Sequence, residues 1–232
     1  MRMICTICAR GGSKGVPRKN VRQLNGIPLL AHTLRHALAA DCFDAIAVSS
    51  DDQEILQVAH SHGATILVER PKELAQDDSG KLPAIRHCVE AVEALTGKID
   101  IVVDLDATSP LRNTEDVIDA IRMLTESQCD NVVTATESRR SPYFNMIEKS
   151  SDGSPRIVKP LDGSIVRRQD APATFDMNAS IYVWRRDSLF SQDRIVHAGT
   201  RMLMMPPERS HDIDSELDFD IVEFLLSRRE PR

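Results

Sequence analysis

Short apolar runs rich in β-branched residues alternate along the chain with longer stretches in which apolar residues recur every three or four positions. The first pattern is that of strands covered on both faces, the second that of amphipathic helices. Met3 to Ala9 reads as a strand, Pro28 to Ala40 as a helix with Leu30, Leu34, Ala37 and Leu38 on its inner side, and Ala45 to Ser49 as a second strand. Gln53 to His60 reads as a helix, Thr65 to Val68 as a strand, and Leu82 to Leu95 as a helix with the stripe Leu82, Ile85, Val89, Val92 and Leu95. Ile99 to Leu105 is the most hydrophobic strand and is expected at the centre of the sheet. A helix with Thr114 as its N-cap runs to Glu126, its Glu115 and Asp116 suited to the positive end of the dipole, and the strand Val132 to Thr136 follows. The strands Asn178 to Trp184 and Met202 to Met205 lead to a last helix, Ser215 to Ser227, with Leu217, Ile221, Phe224 and Leu225 facing inward. Such alternation predicts an α/β domain: a mostly parallel sheet flanked by helices on both faces.

Between about Ser138 and Thr174 the pattern breaks into short extended pieces punctuated by Asp152-Gly153, Pro155, Pro160, Asp162-Gly163 and Pro172, which predicts hairpins projecting from the main sheet. The chain is therefore divided into an α/β domain over 1–137 and 175–232 and a small inserted element over 138–174.

A length of 232 residues suffices for one large core without staples. Nothing approaches the roughly 18 consecutive apolar residues of a membrane span, and Met1 to Arg10 lacks the regions of an export signal, so a cytoplasmic place is expected. The net charge of −6 argues against nucleic acid as a partner. The five cysteines are odd in number and scattered, and Cys5 and Cys8 are expected on opposite faces of the first strand, as buried residues rather than a metal or redox pair. His32 and His36 lack the Glu of a H-E-x-x-H motif and His60 and His62 flank a helix end, so these are expected at the surface; His211, beside two aspartates, is the one histidine near candidate chemistry.

Against that acidic background the segment from Arg10 to Asn20 is dense in cations. Arg10, Lys14, Arg18 and Lys19, with Arg22 just beyond, carry positive charge with no acid between them, and Gly11, Gly12 and Gly15 allow the backbone to approach a ligand. The segment follows a strand and precedes a helix, where α/β sheets bind ligands. It is neither a Walker loop nor G-x-G-x-x-G, yet its charge suits a triphosphate.

Two carboxylate pairs share a spacing of two. Asp104 and Asp106 close the most hydrophobic strand; Asp212 and Asp214 lie in an extended stretch before the last helix. Nucleotidyl transfer concentrates charge at phosphorus and recruits Mg²⁺ through such groups. Asp104 is read either as a metal ligand or as a structural group, a cap or the partner of a basic residue, and Glu216 as a structural charge in the first helical turn.

Ala9-Arg-Gly-Gly-Ser-Lys-Gly-Val-Pro-Arg-Lys-Asn20 resembles the signature of the acylneuraminate cytidylyltransferases, which include enzymes for sialic, legionaminic, pseudaminic and Kdo-type sugars. The resemblance continues through Glu69-Arg70-Pro71 with Leu74-Ala75-Gln76-Asp77, Asp106-Ala-Thr-Ser-Pro-Leu-Arg112, Arg168-Gln-Asp170, Asn178-Ala-Ser-Ile-Tyr182 and Asp212-Ile-Asp214-Ser-Glu216-Leu-Asp218. It implies a Rossmann-like sheet of the nucleotide-diphospho-sugar transferase type and an enzyme that joins CTP to an acidic 2-keto sugar, releasing pyrophosphate. It implies nucleotide binding by Arg10, Gly11, Gly12, Ser13, Lys14, Lys19, Asn20, Arg70, Ser79 and Lys81, and metal binding by Asp212 and Asp214. Asp106 stands where sialic acid enzymes typically have a sugar-contacting glutamine and where Kdo-type enzymes place a metal-binding aspartate, so it is expected to bind either metal or sugar. Arg168 matches the family arginine for the sugar carboxylate, with Gln169, Asn178 and Tyr182 as hydrogen-bonding neighbours; Thr108 and Ser109 are read as sugar contacts or as turn residues. Ala179 replaces a common glycine and is expected to narrow the pocket.

The element 138–174 resembles the family's dimerisation element, with Pro142-Tyr143-Phe144 and Ile157-Val158 exposed for contact, so a homodimer is expected. In the expected reaction the anomeric hydroxyl attacks the α-phosphorus in line, with Arg10, Lys14 and Lys19 neutralising pyrophosphate, Asp214 essential and no side-chain nucleophile. The alternatives are a Kdo-type or other sugar nucleotidyltransferase, or a sugar-nucleotide binder without chemistry.

Overall fold

The computed structural model describes residues 1–161 and 167–229. In chain order the elements are β1 (Met3–Cys8), β2 (Gln23–Leu24), β3 (Ile27–Pro28), α1 (Leu29–Ala40), β4 (Ala45–Ser50), α2 (Gln53–Ser61), β5 (Ile66–Glu69), α3 (Lys81–Thr96), β6 (Ile101–Leu105), α4 (Thr114–Glu126) and β7 (Asn131–Glu137). They continue with β8 (Ile147–Lys149), β9 (Pro155–Ile157), β10 (Phe175–Arg185), α5 (Arg186–Ser191), β11 (Thr200–Met204) and α6 (Glu216–Ser227). Seven strands form the main sheet in the order β11-β7-β10-β6-β1-β4-β5. β6, the strand richest in apolar residues, occupies the middle, as its composition predicts. β1 pairs in parallel with β4 and β6, β4 with β5, and β11 with β7; only β10 runs antiparallel, between β6 and β7.

Alternation along each strand divides the interior in two. Cys5, Ile7, Val48, Val103, Leu105, Ile181 and Val183 face α1, α2 and α4, whereas Ile4, Ala47, Val68, Val102, Tyr182 and Trp184 face α3 and α5. Cys5 lies in the first layer and Cys8 packs against the second, and all five cysteines are free. A third cluster seats Phe219 and Val222 of α6 against Val16, Leu24, Leu111 and Ile213.

The helix positions were predicted more closely than the helix faces. Leu38, Leu95, Leu217 and Phe224 are exposed, at 45%, 72%, 67% and 57%. Each continues an apolar period past the reach of the layer beneath, and in α6 the buried stripe is centred on Phe219 and Val222 instead. The N-cap of α4 is Asn113, whose N–H donates to Asp116 at 2.8 Å, not Thr114. His32 is buried, its Nε2 2.9 Å from the Leu24 carbonyl, and burial with nearby Arg112 lowers the pKa of His36 to about 3. Two of the four histidines expected at the surface thus lie against the core: helix α1 is buried on more than one side, by the sheet and by α2, α4 and β3.

Within the stretch expected as a projecting element, β8 and β9 form a two-stranded sheet of their own. Asp162-Gly163 lies outside the described residues. Pro142, Tyr143 and Phe144 are half-buried rather than exposed, with Lys159 over the Tyr143 ring; among the described residues of the stretch, Met146, Ile147, Val158 and Leu161 are the large apolar residues left open. Among the described residues no helix is long and apolar enough to cross a membrane.

Candidate functional site

A cavity of about 410 Å³ opens at the C-terminal ends of β1 and β6, where β1 has one neighbour on either side and the chain leaves the sheet for successive loops. Ligands bind at such points in parallel α/β sheets because the loop backbones there splay apart. Its walls are the loop after β1, the turn from Leu74 to Lys81 before α3, the Asp106-Ala-Thr turn after β6, and Asp212 with Asp214 ahead of α6.

The loop after β1 is tied at both ends. The Asn20 side chain donates to the Arg10 carbonyl at 2.9 Å, closing the base, and the Gly11 N–H donates to Asp51 at 3.0 Å. Gly15 is required by close approach: a Cβ there would lie 1.9 Å from the Asp214 carbonyl oxygen. The glycine lets the cationic loop lie against the acidic strand, and Lys19 completes the junction with its Nζ bonded to the Ile213 carbonyl and 3.4 Å from the Asp214 carboxylate.

The cations of this loop are shared out among acids that the linear sequence keeps distant. Arg18 pairs with Glu54 and Arg22 with Glu216, so these two are turned to ion pairs away from the cavity. Arg10 and Lys14 both meet Asp77, Arg10 at 3.0 Å, and Arg10 also donates to the Gln76 carbonyl. The uncompensated charge expected of the loop is therefore balanced in part by Asp77, a residue for which sequence reasoning found no role. Its signal was a carboxylate in the second matching segment, Leu74 to Asp77, on the far side of the same cavity.

Of the residues expected to bind nucleotide, Arg10, Ser13, Lys14, Lys19, Asn20, Arg70, Ser79 and Lys81 line the cavity; Gly11 and Gly12 do not. Arg70 is buried, with Nε and Nη2 donating to the Ser49 hydroxyl and carbonyl at 3.1 and 2.7 Å. Ser79 donates to the Glu73 carbonyl and caps the Gln76 N–H, shaping its turn.

The three carboxylates proposed for metal, Asp106, Asp212 and Asp214, all line the cavity, yet they differ in what already holds them. Asp106 accepts from the Thr108 N–H and hydroxyl and from Lys81; burial raises its pKa, and Lys81 with Thr108 more than reverses this, to about 2. Asp212 has a buried Oδ1 with no partner, and burial together with the Asp106 and Asp214 charges raises its pKa. Asp214 is 80% exposed. Among the described residues no group of three or more His, Cys, Asp and Glu is arranged to hold a metal ion. His211 is exposed.

Asp104 is enclosed at 1% exposure, bonded to the Thr6 hydroxyl at 2.9 Å and 3.3 Å from the Lys81 ammonium; of the two readings for it, the structure bears out the basic partner. Behind it Arg112 is buried, donating to the Ser180 hydroxyl and to the Asp106 carbonyl.

The residues expected around the sugar do not converge on one pocket, and Ser109 is buried. Asp106 and Thr108 line the first cavity, while Arg168 and Gln169 line a second, of about 550 Å³, with Glu137, Ser141 and Met204. Asn178 and Tyr182 line neither. Both belong to β10, between β6 and β7, in the part of the strand that is covered from either face. Asn178 bonds Thr134 and Ser210, and Tyr182 stacks on Trp184 at 5.4 Å between centroids. Ala179 sits at φ 53°, at the irregularity where β10 shifts register against β7. That left-handed backbone, more than any narrowing of a pocket, is why glycine suits the position.

Comparison with known proteins agrees with this layout. The family model described as Cytidylyltransferase matches residues 4–223. A Campylobacter coli protein described as post-translational flagellin modification protein B is 40% identical over 228 residues, covering 98% of this chain and 96% of its own length. The CMP-N,N'-diacetyllegionaminic acid synthase of Campylobacter jejuni is 40% identical over 226 residues, covering 97% and 95%. Among solved structures, a CMP:2-keto-3-deoxy-manno-octonic acid synthetase complexed with CTP superposes with a TM-score of 0.72 at 16% identity, covering 99% of this chain and 100% of that one.

Proposed function

The chain belongs to the cytidylyltransferase family, and from that premise we propose that it couples CTP to an acidic nonulosonic sugar of the sialic and legionaminic class, giving the CMP-sugar and pyrophosphate. The observation that carries this reading is the meeting of Arg10, Lys14 and Lys19 with Asp212 and Asp214 across one cavity at the end of the central strands. The 40% identity to a CMP-N,N'-diacetyllegionaminic acid synthase supports the sugar class.

The residues present suit a divalent cation. Asp212 offers a buried oxygen that nothing else satisfies, and Asp214 an exposed carboxylate beside it. Buried unpaired anions are costly, and a cation bound there would lower that cost. We assign Asp212 and Asp214 as holders of Mg²⁺, which when bound supplies charge neutralisation at the reacting phosphate. Arg10 and Lys14 leave Asp77 to hold the β- and γ-phosphates and to neutralise charge as pyrophosphate departs; Lys19, fixed at the Asp214 junction, holds the same phosphates from the opposite side. The sugar hydroxyl attacks in line, its carboxylate held by Arg168, whose planar guanidinium matches that group. Closure of the loop bearing Arg168 toward the first cavity belongs to the proposal, as do a homodimer formed through the open apolar residues near β8 and β9 and a cytoplasmic place of work.

The test is incubation with CTP, Mg²⁺ and a panel of sialic, legionaminic, pseudaminic and Kdo acids, reading pyrophosphate. Release with a nine-carbon acid is expected. Silence across those acids, or release with Kdo alone, would overturn the sugar assignment.

A further inference from the structure

Lys81 begins α3, where a lysine normally runs out to water. Here it turns inward. Its Nζ lies 2.7 Å from Asp106 Oδ2, 3.3 Å from Asp104 Oδ2, and 4.3 Å from the centroid of the Tyr182 ring. Burial opposes its charge, and the two carboxylates outweigh burial and raise its pKa. An ammonium between two carboxylates, over the negative face of an aromatic ring, supplies the neutralisation that a bridging divalent cation would otherwise give.

The same contacts use up the oxygens of Asp106. Oδ1 takes the Thr108 hydroxyl at 2.9 Å and its N–H at 3.2 Å, and Oδ2 takes Lys81. The other pair has no lysine that bridges both of its carboxylates: Lys19 stands 3.4 Å from Asp214 alone, and the buried Oδ1 of Asp212 has no hydrogen-bond partner.

We infer that Lys81 is the resident cation of the β6 strand end: it fills the place a second divalent ion would need, holds Asp106 in position, and confines metal binding to Asp212 and Asp214. The inference rests on the metal role proposed for that second pair. It makes Lys81 a positioning residue that sets the number of metal ions, in place of the nucleotide contact implied for it.

Titration of the metal-free chain with Mn²⁺, following the free ion by electron paramagnetic resonance, tests it directly. The expected result is one ion per chain for the native sequence and two for Lys81→Met, because removing the ammonium frees Asp106 Oδ2 and leaves two uncompensated carboxylates. A single ion in folded Lys81→Met would overturn the inference. The double variant Lys81→Met/Asp106→Asn removes one charge of each sign with little change of shape, so it stands as the control if the single variant does not fold. It is expected to bind one ion with an affinity within about threefold of the native value. A loss of roughly tenfold or more, the scale on which metal-site residues act, would make Asp106 a ligand and overturn the inference. Absence of any bound ion in the native chain would defeat the metal role of Asp212 and Asp214 instead, and a gain of one ion by Lys81→Met would still decide the role of Lys81.

Discussion

Asp104-x-Asp106 and Asp212-x-Asp214 have the same spacing and lie around one cavity, yet the fold has given them opposite conditions. The first pair closes a strand at the middle of the sheet, and Asp104 is enclosed with Thr6 and Lys81 while Asp106 holds Thr108 and Lys81. The second flanks Ile213, which is buried in the third cluster, leaving Asp212 and Asp214 turned to the cavity with Lys19 beside Asp214 and no lysine on Asp212. Identical spacing thus gives one pair bridged by a single lysine, which supports structure, and one pair that only Lys19 at Asp214 meets, which is open to a cation. The counter-charge, and not the carboxylate pattern, distinguishes them.

The sharpest way to break this contrast is to remove one member of each pair. Asp214→Ala should reduce pyrophosphate release on the order of a thousandfold, the scale of losing several kcal/mol of transition-state stabilisation. Its midpoint of thermal unfolding should hardly move, since the side chain is 80% exposed. Retained turnover would remove the second pair from the chemistry. Asp104→Ala should behave in reverse, costing about 2 kcal/mol in urea denaturation by leaving the buried Thr6 hydroxyl without its acceptor and Lys81 with Asp106 alone. A cost no larger than that of Asp212→Ala would show that the two pairs are equivalent in stability after all.

The buried side of the comparison also has a pH signature. His36 packs near Arg112, the residue that donates to the Asp106 carbonyl, and its pKa falls from the ordinary 6.5 to about 3. On acidification the unfolded chain therefore takes up this proton first, and stability declines as pH drops from about 6.5 toward 3, by at most about 1.4 kcal/mol per pH unit for one proton. His36→Gln should flatten that limb of a plot of unfolding free energy against pH, and an unchanged slope would remove the histidine from the account. A smaller effect is expected at Ala179, next to Ser180, whose carbonyl accepts from the Asp106 N–H at 3.1 Å. Relieving its positive φ with Ala179→Gly should stabilise the fold by about 0.5–1 kcal/mol, less what glycine adds to the freedom of the unfolded chain. Destabilisation on chemical unfolding would contradict the strain assigned to that backbone.

Much of the sheet could be read from residues alone, because buried parallel strands and amphipathic helices leave different periods in a sequence. Ile99 to Leu105 was recognisable as central from its apolar content, and β6 runs over Ile101–Leu105 within it. Helix α5 and the two-residue strands β2 and β3 were not read, being too short to complete a period. Leu95 and Leu217 were misplaced because periodicity reports a preferred face and not where the neighbouring layer ends. The cation-rich loop stood out for its charge density within an acidic chain, and the aspartate pairs for their spacing.

Local sequence determined the strands and helices, the glycine that admits Asp214 close to the loop, and the supply of cations and carboxylates at the strand ends. The tertiary structure alone decided which cation meets which carboxylate. Lys81 reaches Asp106 across 25 positions, Arg10 reaches Asp77 across 67, and Lys19 reaches Asp214 across 195. Dihedral preference and side-chain period act over a few neighbouring residues, whereas electrostatic balance acts through space, between groups that only the packed sheet brings together.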